Sequence, residues 1–194
     1  MKSNFLLLLI LNVLLLSFCR PKKTAEPQKP NENELITTLI FELQNENDAN
    51  ERKRVFSFRD LDGDGPLTPT LVIDSLTAST TYIGKVILLD ESKAVVDTIS
   101  NEVAEEKEEH QFFFRTFPSD KASFTYQASD VDDNGVPFGM FPKLTTNTSG
   151  TFAFEIELRH QPNNLKPKSG NGDATKGDVD IKVIFNDVKV LPLP

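Results

Sequence analysis

From Glu34 onward, apolar and polar side chains alternate with a period of two rather than 3.6, the repeat of strands that bury one face. In Leu35-Ile-Thr-Thr-Leu-Ile-Phe-Glu-Leu43 the odd positions Leu35, Leu39, Phe41 and Leu43 form one inward row. Val55–Phe58 and Thr70–Asp74 are short β-rich runs between turn residues. Tyr82–Leu89 becomes apolar on both parities toward its end, the pattern of a central strand. Val95–Ile99, Gln111–Phe117, Ser123–Ala128, Thr151–Leu158 and Val179–Val190 bring the expectation to eight or nine strands, with one helical turn near Glu102–Glu109. Short strands with frequent turns predict an all-β fold, an antiparallel β-sandwich or barrel with very little helix.

The first 33 residues obey a different pattern. Lys2 precedes an apolar run of 12 residues, Phe5–Leu16, shorter than the roughly 20 that span a bilayer as a helix and of the size of a signal-peptide h-region. The segment Leu16-Ser17-Phe18-Cys19 resembles a bacterial lipobox, with Phe18 where that pattern usually has a small residue. The resemblance implies that Cys19 becomes the first mature residue and carries the lipid anchor, a palmitate-type acyl chain. Residues 20–33 contain Pro21, Pro27 and Pro30 among polar residues and no apolar periodicity. They read as a tether that reaches about 40 Å at about 3 Å per residue. The expected organisation is a leader at 1–18, a lipid-anchored tether at 19–33 and one sandwich domain at 34–194.

Within that domain, Leu76-Thr-Ala-Ser-Thr-Thr-Tyr82 places a leucine and a tyrosine six apart with Thr80 between. The segment resembles the tyrosine corner of fibronectin type III and other Ig-like Greek-key sandwiches, in which the phenol bonds back to backbone across an inter-sheet arch. Leu76 and Tyr82 are then structural residues. The longer segments Phe56–Gly65, Ile73–Ser92, Glu108–Phe114, Asp130–Gly135 and Leu158–Pro162 resemble small lipoproteins of Bacteroidota and other diderm bacteria. That likeness implies a β-sandwich lipoprotein of the bacterial envelope, anchored in the outer membrane on its periplasmic or surface face, and no particular reaction.

Composition narrows the chemistry. The chain has one cysteine and two histidines among 194 residues, which excludes a disulfide framework and every multi-cysteine metal site. Its net charge is −8. Residues 1–18 carry one positive charge and residues 19–33 four basic and two acidic side chains, which leaves −11 on the domain. A body that acidic repels nucleic-acid backbones, so no nucleic-acid partner is expected.

Two loops, Asp60-Leu-Asp-Gly-Asp-Gly65 and Asp130-Val-Asp-Asp-Asn-Gly135, share the spacing D-x-D-x-[DN]-G of calcium turns. Position 12 is Leu71 in one and Phe141 in the other, so neither is an EF-hand. The second reads as a plain hairpin between Phe124–Ala128 and Phe138–Phe141. The first packs Asp60, Asp62 and Asp64 into five residues, a self-repelling set that a Ca2+ ion or a basic side chain would relieve.

The histidines are more informative. Period two puts His110 in line with Phe112 and Phe114, and His160 in line with Phe152, Phe154, Ile156 and Leu158. Each lies at the end of a core-facing row. If the two strands are antiparallel neighbours, the imidazoles meet at one rim beside Glu106, Glu108 and Glu109. His110, His160 and Glu109 would make a transition-metal set, and two imidazoles are also a haem ligand pair. The bland alternative is two rim histidines hydrogen-bonded to backbone or to a glutamate. Phe113, on the opposite face, is either covered or marks a partner surface. The acidic run Glu102–Glu109 and the glycine-rich Gly170–Gly177 read as a solvated segment and an edge loop.

No nucleophile elbow or carboxylate spacing points to catalysis. The expected function is that of a non-enzymatic, membrane-anchored binding module that captures a metal or haem, with the lipoprotein resemblance adding an outer-membrane uptake receptor as partner. The alternatives are a calcium-stabilised adhesive or structural module built on Asp60, Asp62 and Asp64, and a protein-binding sandwich that uses Phe113.

Overall fold

The structure, a computed structural model, describes residues 35–63 and 65–193. The leader, Cys19, the tether and Asp64 lie outside the described residues. Among the described residues, ten strands form two packed sheets. They are β1 (Thr38–Asn45), β2 (Arg54–Arg59), β3 (Thr70–Val72), β4 (Leu76–Thr77), β5 (Thr81–Leu89), β6 (His110–Phe117), β7 (Ala122–Thr125), β8 (Lys143–Thr146), β9 (Gly150–His160) and β10 (Asp178–Leu191). One helix, α1 (Ile99–Glu105), lies between β5 and β6. The six-stranded sheet runs β3-β2-β1-β5-β8-β7 and the four-stranded sheet β4-β10-β9-β6. This is the all-β sandwich that the alternation predicts, with one departure from antiparallel pairing: β4 runs parallel to β10, Leu76 opposite Val190.

The inward rows meet in a phenylalanine core. Leu39, Phe41 and Leu43 on β1, Phe56 on β2, Phe154 on β9 and Phe185 on β10 are fully buried. Phe154 packs edge-on against Phe56 at 5.1 Å and against Phe41 at 5.9 Å, geometries that satisfy the ring quadrupoles as well as burying area. Gly84 on β5 makes room for Phe41, since a Cβ there would stand 2.6 Å from the ring. Along β10, Ile181, Val183 and Phe185 face inward, then Val188 and Val190. The change of parity is absorbed by an irregularity between Phe185 and Val188, where Asp187 takes φ +56°.

Several local expectations are corrected. Leu35 precedes β1 and is 54% exposed, so it is not part of the inward row. Val95–Ile99 is not a strand: Asp97 bridges back to Asp90, Val95 is solvent-exposed, and Ile99 already belongs to α1. The helix starts three residues before the expected turn because Ile99 and Val103, four apart, bury one apolar stripe against the core. It ends at Glu105, where the carboxylates crowd together. Phe113 is covered, which removes it as an exposed partner surface. The loop at 130–135 carries only one isolated bridge, Val131 to Pro137, and Phe138–Phe141 is irregular rather than a hairpin strand.

The chain crosses from the small sheet to the large one between β4 and β5. There the fully buried Tyr82 accepts, at its hydroxyl, a hydrogen bond of 2.9 Å from the Thr77 amide. Thr80 ties the same arch to β8, its amide donating to Thr146 Oγ1 at 3.1 Å. Leu76 is buried beneath it.

On the outer face of the small sheet, Glu157 is fully buried among cations of three strands. Lys182 reaches it at 2.6 Å, Arg115 at 3.2 Å, and Arg159 also bonds it, while Arg115 bonds Glu155. Burial alone would raise the Glu157 carboxyl, but hydrogen bonds from Lys182 and Arg159 outweigh it and hold it below the ordinary glutamate value.

Two outcomes are expected. Tyr82→Phe leaves the Thr77 amide without its acceptor and costs about 1 kcal/mol, read as a lower urea midpoint at unchanged denaturant slope. Glu157, with its folded value depressed, contributes stability above about pH 4.3 that is lost as the pH falls through that lower folded value. Glu157→Gln therefore destabilises the protein by about 3 kcal/mol at neutral pH and flattens the acid limb, as denaturation curves between pH 2 and 7 would record.

Candidate metal centre

The ladder between β6 and β9 sets His110 directly opposite His160. Both sit on the inward side, so the imidazoles face each other at the end of the sandwich interior. The rings stack with centroids 4.6 Å apart and planes 17° from parallel, and the residues are 4% and 3% exposed. The sequence expectation that the two histidines converge is met in the geometry.

Three carboxylates from two elements surround the pair. The turn after α1 brings Glu106 Oε2 to 4.0 Å from His110 Nδ1, and Glu109 Oε2 to 3.7 Å from His160 Nε2. From β10, Asp180 Oδ2 stands 3.7 Å from His110 Nε2. Glu106, His110 and His160 each offer one ligand atom within 4.8 Å of the others, the one such group of three among the described residues. Glu108, which lies between Glu106 and Glu109 in the sequence, turns away and accepts from the Asp133 amide at 3.3 Å.

The proton on His110 is placed by its neighbours. Nδ1 lies 3.1 Å from the Glu106 carbonyl. A carbonyl only accepts, so Nδ1 carries the hydrogen and, in the neutral ring, Nε2 presents a lone pair. That carbonyl also receives the His110 amide at 3.1 Å and the Glu109 amide at 2.8 Å, which fixes the turn and the ring together. Beneath the same residue, the buried Lys166 ammonium donates to the His110 carbonyl at 2.9 Å and the Lys107 carbonyl at 2.5 Å. It pairs with the buried Asp132 carboxylate at 3.1 Å. Burial pushes the His110 imidazole down to about 4, with the Glu106 carbonyl opposing and His160 and Lys166 adding to the fall. Burial likewise pushes the Asp180 carboxyl up to about 6, with His160 opposing.

Imidazoles beside carboxylates suit zinc, copper or iron and suit calcium poorly. A haem does not fit the arrangement. Its two axial imidazoles stand on opposite faces of the macrocycle, whereas these rings lie against each other at 4.6 Å with no plane of that size between them. Of the calcium set, Asp62 Oδ2 accepts the Leu67 amide at 3.1 Å as turn chemistry, the Asp60 amide anchors to the Thr37 carbonyl at 2.8 Å, and Asp64 is outside the described residues. In the second loop Asp132 Oδ1 accepts the Asn134 and Val136 amides, each at 2.9 Å, so its carboxylate is committed to the turn and to Lys166.

Asp180 is the residue that strand reading misses. Alternation pairs it with Lys182 and Ile184 on the outer face, away from the histidines. A register shift between Val179 and Ile181 leaves it as the extra residue of a bulge and brings its carboxylate to His110. The signal was the charged pair Asp178 and Asp180 at the head of a strand whose inward row, Ile181, Val183 and Phe185, is apolar. No family model, curated protein or solved structure matches the chain.

Proposed function

We propose that the protein is a non-enzymatic, lipid-anchored lipoprotein of the bacterial envelope whose β-sandwich binds a transition-metal ion between His110 and His160. The observation that carries the metal reading is the buried face-to-face histidine pair with carboxylates on two sides of it. The anchoring follows from the apolar run Phe5–Leu16 and the lipobox-like Leu16-Ser17-Phe18-Cys19. The acidic domain favours cations over nucleic acid or anionic headgroups as ligands, and an outer-membrane uptake receptor is the partner that would receive the ion.

Protein purified from its envelope without chelator is expected to hold about one transition-metal ion per chain by elemental analysis and to show no haem band. His110→Gln and His160→Gln, which keep the volume and a polar end, are each expected to weaken zinc binding by roughly 100-fold or more with unchanged far-ultraviolet circular dichroism. Stoichiometric binding in the double variant would exclude the site. Mass spectrometry of the N-terminal peptide tests the anchor separately: a diacylglyceryl adduct on Cys19 is expected, and Cys19→Ser should move the protein out of the membrane fraction.

A further inference from the structure

We propose that Asp180, rather than either glutamate, is the carboxylate ligand, that His110 binds through Nε2, and that the ion is therefore a late first-row dication such as Zn2+. This rests on the metal reading above and specifies its ligand set. Three carboxylates compete for the role, and their surroundings separate them.

The Glu106 side chain is 57% exposed and the Glu109 side chain 33%, so water can solvate both. The Asp180 side chain is 11% exposed, and its Oδ2 is buried with no hydrogen-bond partner among the described residues. A buried carboxylate oxygen without a donor is costly, and an arrangement that keeps one has something to gain from it. What Oδ2 faces is the Nε2 of His110, 3.7 Å away.

The ring orientation makes that encounter specific. With Nδ1–H held by the Glu106 carbonyl, His110 has only Nε2 to give, and Glu106 approaches the ring at the nitrogen that is already occupied. A metal-bound histidine characteristically donates its other N–H to a backbone carbonyl or carboxylate, and the Glu106 carbonyl supplies that partner. Two acceptor atoms are thus aimed at each other across a gap too long for a hydrogen bond. Ligands about 2.0–2.1 Å from a common zinc ion stand roughly 3.3 Å apart at the tetrahedral angle and somewhat farther at a wider one. A gap of 3.7 Å falls in that range. His160 is stacked on His110, and Glu109 lies beside its Nε2.

The test exploits the opposite signs that ligation and mere structural support predict. Full-length protein is stripped with chelator and titrated with Zn2+ against a chromophoric competitor. Asp180→Asn is expected to weaken zinc binding by roughly 100-fold and, in the metal-free state, to raise the melting temperature, because the amide puts a donor where two acceptors, Oδ2 and His110 Nε2, face each other. Asp187→Asn, an exposed residue at the far end of the same strand whose positive φ asparagine tolerates, should change neither. Nitrogen-15 spectra of histidine should show the zinc-induced shift at His110 Nε2 and not at Nδ1. Wild-type zinc affinity in Asp180→Asn overturns the assignment, and so does loss of zinc in Glu106→Gln with Asp180→Asn unaffected. A parallel fall of affinity and metal-free stability in Asp180→Asn would reduce the residue to a structural one. A wild-type protein that takes up no zinc at all would instead overturn the proposed metal function itself, a result distinguishable from each of these.

Discussion

The antiparallel ladder between β6 and β9 sets the position of almost everything of consequence in the molecule. Its register places Phe112 opposite Leu158 and Phe114 opposite Ile156 inside the sandwich, and at the same stroke Phe113 opposite Glu157 and Arg115 opposite Glu155 outside it. Because side chains alternate strictly, a slip of one residue would exchange these two sets, sending charge into the core and phenylalanine out. The ladder begins at the pair His110 and His160, so the register that protects the core is also the register that stacks the imidazoles. Fold and candidate site share one constraint.

The domain treats its buried charges in two different ways. Glu157 is surrounded by Lys182, Arg159 and Arg115, and Lys166 by Asp132 and two carbonyls. In both, desolvation is offset by several charge-assisted bonds. Lys166 also joins the segment after β9 to the carbonyl of His110, which holds the start of β6 from below. Asp180 Oδ2 has no hydrogen-bond donor among the described residues. The contrast lies within one sheet end, where a donor for Asp180 could have been supplied as readily as the three given to Glu157.

The sandwich was legible because the inward rows of β1, β5, β6 and β9 are long enough for a period of two to stand clear of chance, and the same parity put both histidines on the core side. Tyr82 was legible for a different reason: its bond to Thr77 is local, within the span of the seven-residue segment that suggested it. What stayed hidden depended on partners distant in sequence. β4, two residues long, exists because Leu76 meets Val190, and nothing near Leu76 announces that. Asp180 leaves the face that alternation assigns it because a bulge shifts the register, and bulges are decided by both strands of a pair. Val95 and Val96 look like strand residues by propensity but belong to a turn closed by Asp90 and Asp97. Tertiary context overruled local preference there.

β10 follows all of its partners in the chain yet sits in the interior of its sheet, between β4 and β9. Until that segment has been synthesised, the four-stranded sheet lacks its middle, β4 has no neighbour, and Phe185 is missing from the core it shares with Phe56 and Phe154. Pairings that span so much sequence form slowly, since the closing entropy of the intervening chain comes before any contact repays it. A growing polypeptide with this order of strands stays uncommitted until late in translation.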